Sequence, residues 1–373
     1  MQKRKIVSAG HICLDITPSF LHEAHEGIST LLAPGQLVQM GAADIHTGGS
    51  VANTGRALRF FGADAVLMGK IGDDSFGEIL LTSLQEEGAG MLVAKGEATS
   101  YSVVLAPPGL DRIFLHHTGA NDTFGEDDPD YGIIAQACLF HFGYPPLMQE
   151  MLANGGAALI SMFKRVKALG VATSLDMAAI DANAPAGKAD WDAILQGLLP
   201  HVDFFLPSIE ELLFMLDRPA LSALIKRADG QDITDVLAIE ENVVPLAEKA
   251  LAYGAKVVMV KCGARGLYLA VSGTAGLHEI GGGLGMDMSG WGGIRHFEAS
   301  FVPDAVVSAT GAGDTCIAAF LHAATQNRPW RDCVRLAAAA GACCVTAYDA
   351  LSGLLSFEEM QVKIDAGWKQ RLE

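Results

Sequence analysis

The sequence predicts an α/β protein in which a mostly parallel sheet is covered on both faces by helices and carries a small β appendage. Three observations lead there. Short apolar runs alternate with longer amphipathic stretches along most of the 373 residues, which is the pattern of βαβ units. Glycine turns stand where such a run passes into a helix, at Gly48-Gly49 and at Gly311-Ala312-Gly313. Two regions, 15–44 and 91–117, break the alternation with β-like pieces and hairpin-length turns such as Ala106-Pro-Pro-Gly-Leu-Asp111. Half of the residues are apolar, enough to fill a large core. No repeat, low-complexity linker or clean boundary divides residues 1–373, which are read as one domain with an appendage from about 13–47 and 91–120.

Each element has its own signal. Strands are expected at 6–10, 65–69, 138–142, 171–176, 204–207, 256–261 and 305–308, short apolar runs bounded by Gly, Pro, Asp or Lys. The last continues 301–307, so that a strand leads into the second glycine turn. Helical periodicity marks 75–87, 159–169, 210–216, 241–253, 313–325 and 330–345. The helix opened by Gly48-Gly49 is expected to end at Gly62.

Composition narrows the function classes. The formal net charge of −17 argues against nucleic acid or an anionic membrane as partner, but not against ATP, which arrives with magnesium. No apolar run reaches the length of a membrane span. Met-Gln-Lys-Arg-Lys5 leads directly into a strand rather than a signal-peptide core. The seven cysteines show no Cys-x-x-Cys spacing, and most sit in apolar stretches. They read as reduced core thiols, and the expected location is cytoplasmic.

The chemistry concentrates in Ser308-Ala-Thr-Gly-Ala-Gly-Asp-Thr315. A strand, a glycine turn and a helix start make an anion site, because the N–H groups of Gly311, Ala312 and Gly313 can converge with the helix dipole behind them. Asp314 in such a turn suits phosphoryl transfer, where a carboxylate takes a hydroxyl proton beside developing negative charge. The alternative is a carboxylate that merely complements the dipole. Too little chain follows for a dinucleotide fold, and Gly-x-x-x-x-Gly-Lys-Ser/Thr is missing. Upstream, Gly48 and Gly49 let the backbone approach a ligand, while Asn53, one turn into the helix, can donate and accept.

Gly48-Gly49-x-x-x-Asn53, the later Gly69-Lys-Ile-Gly-Asp-Asp-Ser-Phe-Gly77 and Thr310-Gly-Ala-Gly-Asp-Thr315 together resemble the ribokinase or PfkB family of small-molecule kinases, over about residues 6–355. The resemblance implies a ribokinase-like three-layer sandwich whose β lid closes over a sugar and often serves as a homodimer face. It also implies ATP and sugar as substrates, with Mg²⁺ accompanying the nucleotide. Asp314 would be the base; Asp15, Gly48, Gly49, Asn53 and Asn121 would hold the acceptor. Asp15 alone reads as a carboxylate at a strand's C-terminal end or as a solvated loop residue, and Asn121 as a ligand or a turn Asn. Lys261-Cys-Gly-Ala-Arg-Gly266 resembles the nucleotide-side loop, with Gly263 and Gly266 admitting the nucleotide. Lys261 reads equally as a phosphate contact or an exposed strand-end charge.

Three departures from the family pattern stand out. Ser208 replaces the Asn of an Asn-x-x-Glu pair whose Glu211 is kept, which bears on the magnesium site. Ser308 replaces an Asp that helps bind a monovalent cation in many relatives, so potassium activation is not expected. The stretch 281–293 is glycine-rich, either a flap over the nucleotide or a surface loop. His22 and His25 lack a third ligand for zinc, while His116, His117 and His141 read as packing or rim residues. Gly-x-Ser-x-Gly is missing. The reading is an ATP-dependent kinase of a sugar or sugar-like alcohol. Two alternatives stay open: a nucleoside acceptor, which would need an aromatic stacking pocket from Phe114 and Phe142, and a non-catalytic binding protein.

Overall fold

The computed structural model describes residues 5–21, 34–84, 90–107, 113–278, 280 and 286–371. The His22/His25 pair, most of the 106–111 turn and Gly281–Gly285 lie outside these. Strands are numbered in chain order, and helices likewise where they reach eight residues. Strands β1 (Lys5–Gly10), β4 (Asp64–Gly72), β5 (Gly90–Ala94), β8 (Leu139–Gly143), β9 (Ala172–Leu175), β10 (Phe204–Phe205), β11 (Val257–Lys261), β12 (Gly266–Val271) and β13 (Arg295–Ala299) form one sheet in the order β13-β12-β11-β10-β9-β8-β1-β4-β5. All pairs are parallel except β11–β12 and β12–β13. A second sheet, β3-β2-β6-β7, comprises β2 (Cys13–Pro18), β3 (Ala43–Gly48), β6 (Tyr101–Leu105) and β7 (Ile113–His117). Residues 91–94, expected in the appendage, instead extend the large sheet beside β4.

Successive residues of the central strands enter opposite cores, which is why these strands read as unbroken apolar runs. Ile6, Leu139, Phe204 and Val257 face one cluster, and Val7, Phe140, Phe205 and Val258 face the other. The first layer contains α1 (Gly49–Phe60), α8 (Ala312–Thr325), α9 (Trp330–Cys344) and α10 (Phe357–Asp365). The second contains α3 (Gln149–Ala168), α4 (Trp191–Leu198), α5 (Ile209–Leu216), α6 (Arg218–Ala228) and α7 (Val244–Ala252). Helix α2 (Ser75–Leu84) packs beside the second sheet through Leu80 and Leu84. The periodicity at 159–169 marks only the later part of α3, because Ala153–Gly156 leave helical geometry, three of them at positive φ. All seven cysteines are buried and unbridged. No described helix is long and apolar enough to cross a membrane.

The strand expected over 301–308 does not form. Phe301 makes one isolated bridge, to Gln370, and the segment then runs as a loop to the glycine turn. Pro303 cannot donate to a ladder, and Val302, Val306 and Val307 stay exposed with no sheet face to cover them. The N–H groups of Val307 and Ser308 donate to Val345 O at the end of α9 (2.8 and 3.3 Å). A loop tied to that helix therefore delivers the chain into α8.

Gly266 opens β12 at φ +136°, where a Cβ would run into Glu298 O of β13. Its freedom serves the antiparallel edge of the sheet. Gly266→Ala should lower the free energy of unfolding by roughly 1–3 kcal/mol, measured by urea denaturation.

Candidate functional site

The C-terminal ends of β1, β8, β9 and β11 open together, the position at which parallel α/β sheets bind ligands. There a cavity of about 940 Å³ runs from the second sheet to the Gly311 turn. Gly311 stands at φ +74° as the N-cap of α8, and a Cβ there would strike Ala350. Of the three amides expected to converge, that of Ala312 donates to Ala309 O (3.3 Å). The first-turn N–H groups of Gly311 and Gly313 have no protein acceptor among the described residues. Lys261 passes close over Gly313, its Cε 3.4 Å from where a Cβ would stand.

Asp314, in the first turn of α8, is buried and held from two other elements. Asn53 Nδ2 donates to Oδ2 (3.0 Å) and Thr54 Oγ1 to Oδ1 (3.1 Å), both from α1. The Tyr144 hydroxyl reaches both oxygens, at 3.0 Å to Oδ1 and 2.8 Å to Oδ2. Burial pushes the carboxyl up from its ordinary value, opposed by the Tyr144 and Asn53 donors, the charge of Lys261 and the Thr54 donor. Burial and the Asp314 charge push the Tyr144 phenol far up, so it stays protonated.

Lys261 is neither exposed nor free. Its Nζ lies 2.5 Å from Asp176 Oδ1 and 2.7 Å from Leu206 O. Burial, with the neighbouring Glu211 and Asp314 charges, pushes Asp176 up to about 8 against the pull of Lys261. Burial alone would lower Lys261, but the charges of Asp176, Glu211 and Asp314 outweigh it and raise it. Ser208 and Glu211 form a capping box at the start of α5: Ser208 N donates to Glu211 Oε2 (2.6 Å), and Glu211 N to Ser208 Oγ (3.2 Å). The serine is thus the helix N-cap, a role its hydroxyl fills as well as an amide would.

At the other end Asp15, on β2, lies against Gly48, where any Cβ would meet its carboxylate. Gly49, at φ +82°, likewise leaves room for His11. Cys13 Sγ donates to Asp15 Oδ1 (3.3 Å), and burial raises the Asp15 carboxyl. His11 and His116 share a bond between their Nε2 atoms (3.2 Å), and His116 Nδ1 meets Ser102 Oγ at 2.9 Å. Burial lowers both histidines, leaving neutral rings.

Asp15, Gly49, Asn53, Ser208, Glu211, Lys261, Gly311, Gly313 and Asp314 line the cavity. Five expected residues do not: Gly48, which backs Asp15, Ala312, whose amide is bonded within the turn, and Asn121, Gly263 and Gly266. Asn121 is fully buried, and its amide is used up: Nδ2 donates to Ile12 O (2.9 Å) and Thr118 O (3.0 Å), while Oδ1 accepts from Ile12 N (3.2 Å). It shapes the β1–β2 turn, and its neighbours Thr118 and Asp122 reach the cavity instead. Gly263 abuts Thr234 and Gly266 abuts β13, both against protein. Ser308 Oγ bonds Thr310 N and Oγ1, each at 3.1 Å, and so shapes the turn. Phe142 is fully buried, which leaves Phe114 of the expected aromatic pair at the rim. His141, expected as a packing or rim residue, is buried against Ser174 Oγ (3.0 Å), its ring lowered to about 3 by burial. Sequence reasoning missed Tyr144, Asp176 and Thr54. Asp176 follows a strand that was recognised, and the strand-end rule applied to Asp15 would have found it.

A doubly covered parallel sheet, a small lid and a carboxylate in a glycine turn define the class of small-molecule kinases. Residues 3–356 match the pfkB family carbohydrate kinases. The ribokinase of Arabidopsis thaliana is 24% identical over 336 residues, covering 88% of this chain and 74% of that one. Fructokinase-2 of Zea mays is 26% identical over 242 residues, 63% of this chain and 64% of that one. The solved Arabidopsis ribokinase, complexed with ribose and ATP, superposes with a TM-score of 0.69 at 21% identity, covering 97% of this chain and 98% of that one. A nucleoside kinase of Methanocaldococcus jannaschii superposes with a TM-score of 0.64 at 15% identity, covering 97% and 98%. The chain belongs to the pfkB family of carbohydrate kinases, and its fold is ribokinase-like.

The Lys261–Asp176 pair yields a test. Without Lys261, burial would raise Asp176 further. A carboxyl whose folded pKa exceeds its unfolded value costs stability as pH rises. Lys261→Met should therefore destabilise by about 3 kcal/mol at pH 9 and by less at pH 6. Adding Asp176→Leu should restore most of the loss, measured by urea unfolding at both pH values.

Proposed function

We propose that this kinase transfers the γ-phosphoryl group of ATP to a hydroxyl of an uncharged sugar or related polyol. The observation that carries the reading is Asp314: a buried carboxylate beside unpartnered first-turn amides, at one end of a cavity whose other end offers Asp15, Cys13 and Ser102 to hydroxyl groups. The acceptor oxygen attacks Pγ and its proton passes to Asp314. The bond between Pγ and the bridging oxygen breaks, and ADP leaves. The Gly311 and Gly313 amides, the helix start and Lys261 stabilise the charge that develops. The lid sheet shields the acceptor from competing water.

The donor set suits magnesium carried by the nucleotide. The described residues contain no cluster of three His, Cys, Asp or Glu side chains able to cage a metal, and Mg²⁺ on a nucleotide needs only one or two carboxylates besides phosphate and water. Asp176 is raised to about 8 chiefly by burial, with the Glu211 and Asp314 charges adding to it against the pull of Lys261. Glu211, with Oε2 on the Ser208 amide, is the residue that would hold Mg²⁺, which when bound neutralises phosphate charge. No carboxylate stands at 308, so turnover is expected without added potassium.

The charge of the acceptor follows from the lining. Asp15, Asp122, Asp176, Asp181, Glu211 and Asp314 line the cavity against a single described cation, Lys261, which is already paired. A carboxylate or phosphate on the acceptor would meet net repulsion. Phe142 is buried in the core, so the Phe114/Phe142 pair forms no aromatic sandwich for a nucleobase. The solved ribokinase complex with ribose and ATP is in keeping with a neutral sugar.

The test is ADP release from Mg-ATP across neutral sugars, polyols, sugar acids, sugar phosphates and nucleosides. Neutral acceptors should support turnover, equally well with potassium or sodium. Asp314→Asn should lower kcat by roughly 10²–10⁴-fold with the fold intact by circular dichroism. Wild-type turnover in that variant, or preference for an anionic acceptor, would defeat the reading.

A further inference from the structure

An ionised carboxylate has about four lone-pair positions for hydrogen bonds, two on each oxygen. On Asp314 three donors converge. Asn53 occupies one position on Oδ2 and Thr54 one on Oδ1, and the single Tyr144 O–H is shared between the oxygens, 2.8 Å from Oδ2 and 3.0 Å from Oδ1. With the phenol oxygen this close to both, an acceptor hydroxyl or water reaches the remaining positions only by displacing it.

The donors differ in their freedom to move aside. Thr54 is fully buried, and Asn53 lies beside it on α1, a helix packed into the core. Tyr144 is half-buried, lines the cavity and belongs to the loop after β8. Its backbone is left-handed, φ 65° and ψ 40°, immediately before Pro145. Non-glycine residues seldom adopt that conformation, and a following proline pushes a residue towards extended backbone instead. The loop thus holds the phenol over the carboxylate at the cost of strain.

We propose that Tyr144 is the positioning residue that marks the acceptor's place: its hydroxyl occupies, on Asp314, the position taken by the attacking hydroxyl and yields only to an acceptor that replaces the bond. This rests on the kinase reading above. Until displaced, the phenol keeps water from that position. Were water to take it, its oxygen would bond to Pγ as the bond to the bridging oxygen broke. ADP and inorganic phosphate would leave, and the proton would pass to Asp314. Tyr144 therefore suppresses unproductive ATP hydrolysis and, as a donor to the charged form, opposes the upward push of burial on Asp314. The other charged or titratable groups acting on that carboxylate are Lys261, Asp176, Cys13, Cys316 and Cys344, none of which changes in the test.

The variant is Tyr144→Phe, which keeps the ring. Loss of a donor to the charged form raises the Asp314 pKa, and the reaction needs that group ionised. The acid limb of kcat/KM against pH should accordingly move up by roughly one pH unit. Acceptor-independent ATP hydrolysis should rise by about tenfold relative to acceptor phosphorylation, and acceptor KM should fall, since no phenol need be displaced. A structural role alone would move neither the acid limb nor the hydrolysis ratio. A second readout needs no turnover: ¹³C-carboxyl titration of Asp314, assigned by the signal lost in Asp314→Asn, should show the same upward shift in Tyr144→Phe. An unmoved titration midpoint overturns the proposal, as does an unchanged acid limb together with unchanged hydrolysis. A wild type that phosphorylates no acceptor defeats the kinase reading instead, and the carboxyl titration still decides the Tyr144 contact.

Discussion

Burying the carboxylate of Asp314 is the constraint on which the arrangement of the site depends. An unpaired charge cannot be taken from water without heavy cost, so the fold must bring donors to it from wherever the chain supplies them. It does so across 261 and 260 residues of sequence, from Asn53 and Thr54. The helices that carry the two glycine turns therefore pack side by side over one face of the sheet. Gly49 and Gly311, each at positive φ, are the bends that let both helices start at the same point. One group at the front of α8 thus fixes the mutual placement of the chain's two ends.

The electrostatics of the cavity follow from the parallel strands. Each strand end delivers one polar residue to the same opening, and Asp176, Glu211 and Asp314 come close around Lys261. Burial is the main push on Asp176, and the Glu211 and Asp314 charges add to it against Lys261. The end beside the second sheet is built differently. His11 and His116 are kept neutral by burial, and Asp15 is packed between Cys13 and the bare backbone of Gly48. Carboxylates gather around Lys261, and small neutral polar groups around Asp15.

Much of this was legible in the sequence because period-two burial on both faces forces unbroken apolar strands, and glycine is needed where backbones or carboxylates crowd. The glycine turns, the strand end at Lys261 and most helices were readable on those grounds, whereas Asp15, read as a strand-end carboxylate, lies within β2 of the small sheet. The strand before the second turn misled because Val306 and Val307 have strand composition but no neighbour to pair with. Phe142 misled because alternation sends it to the core, not to the cavity. Asn121 illustrates a different limit: an Asn in a turn reads alike whether it binds a ligand or clamps the backbone of Ile12, and only the partner 109 residues away decides. The left-handed backbone at Tyr144 precedes a proline, against local preference, so no local signal could have placed its phenol on Asp314. Ser208, read as bearing on the magnesium site, is the N-cap of α5 and pairs with Glu211 in a capping box.

The buried cysteines carry a consequence of their own. Burial pushes Cys13, Cys316 and Cys344 upward, the last two to about 12, and a thiol reacts only as its thiolate. Alkylating reagents therefore find little to modify in the closed protein, and each labelling rate becomes a clock for the opening of its own neighbourhood. Cys13 times the opening of the second sheet around β2. Cys316 and Cys344 time the separation of α8 from α9. The chain thus carries internal stopwatches at both ends of its cavity, readable by mass spectrometry without any label having to be introduced.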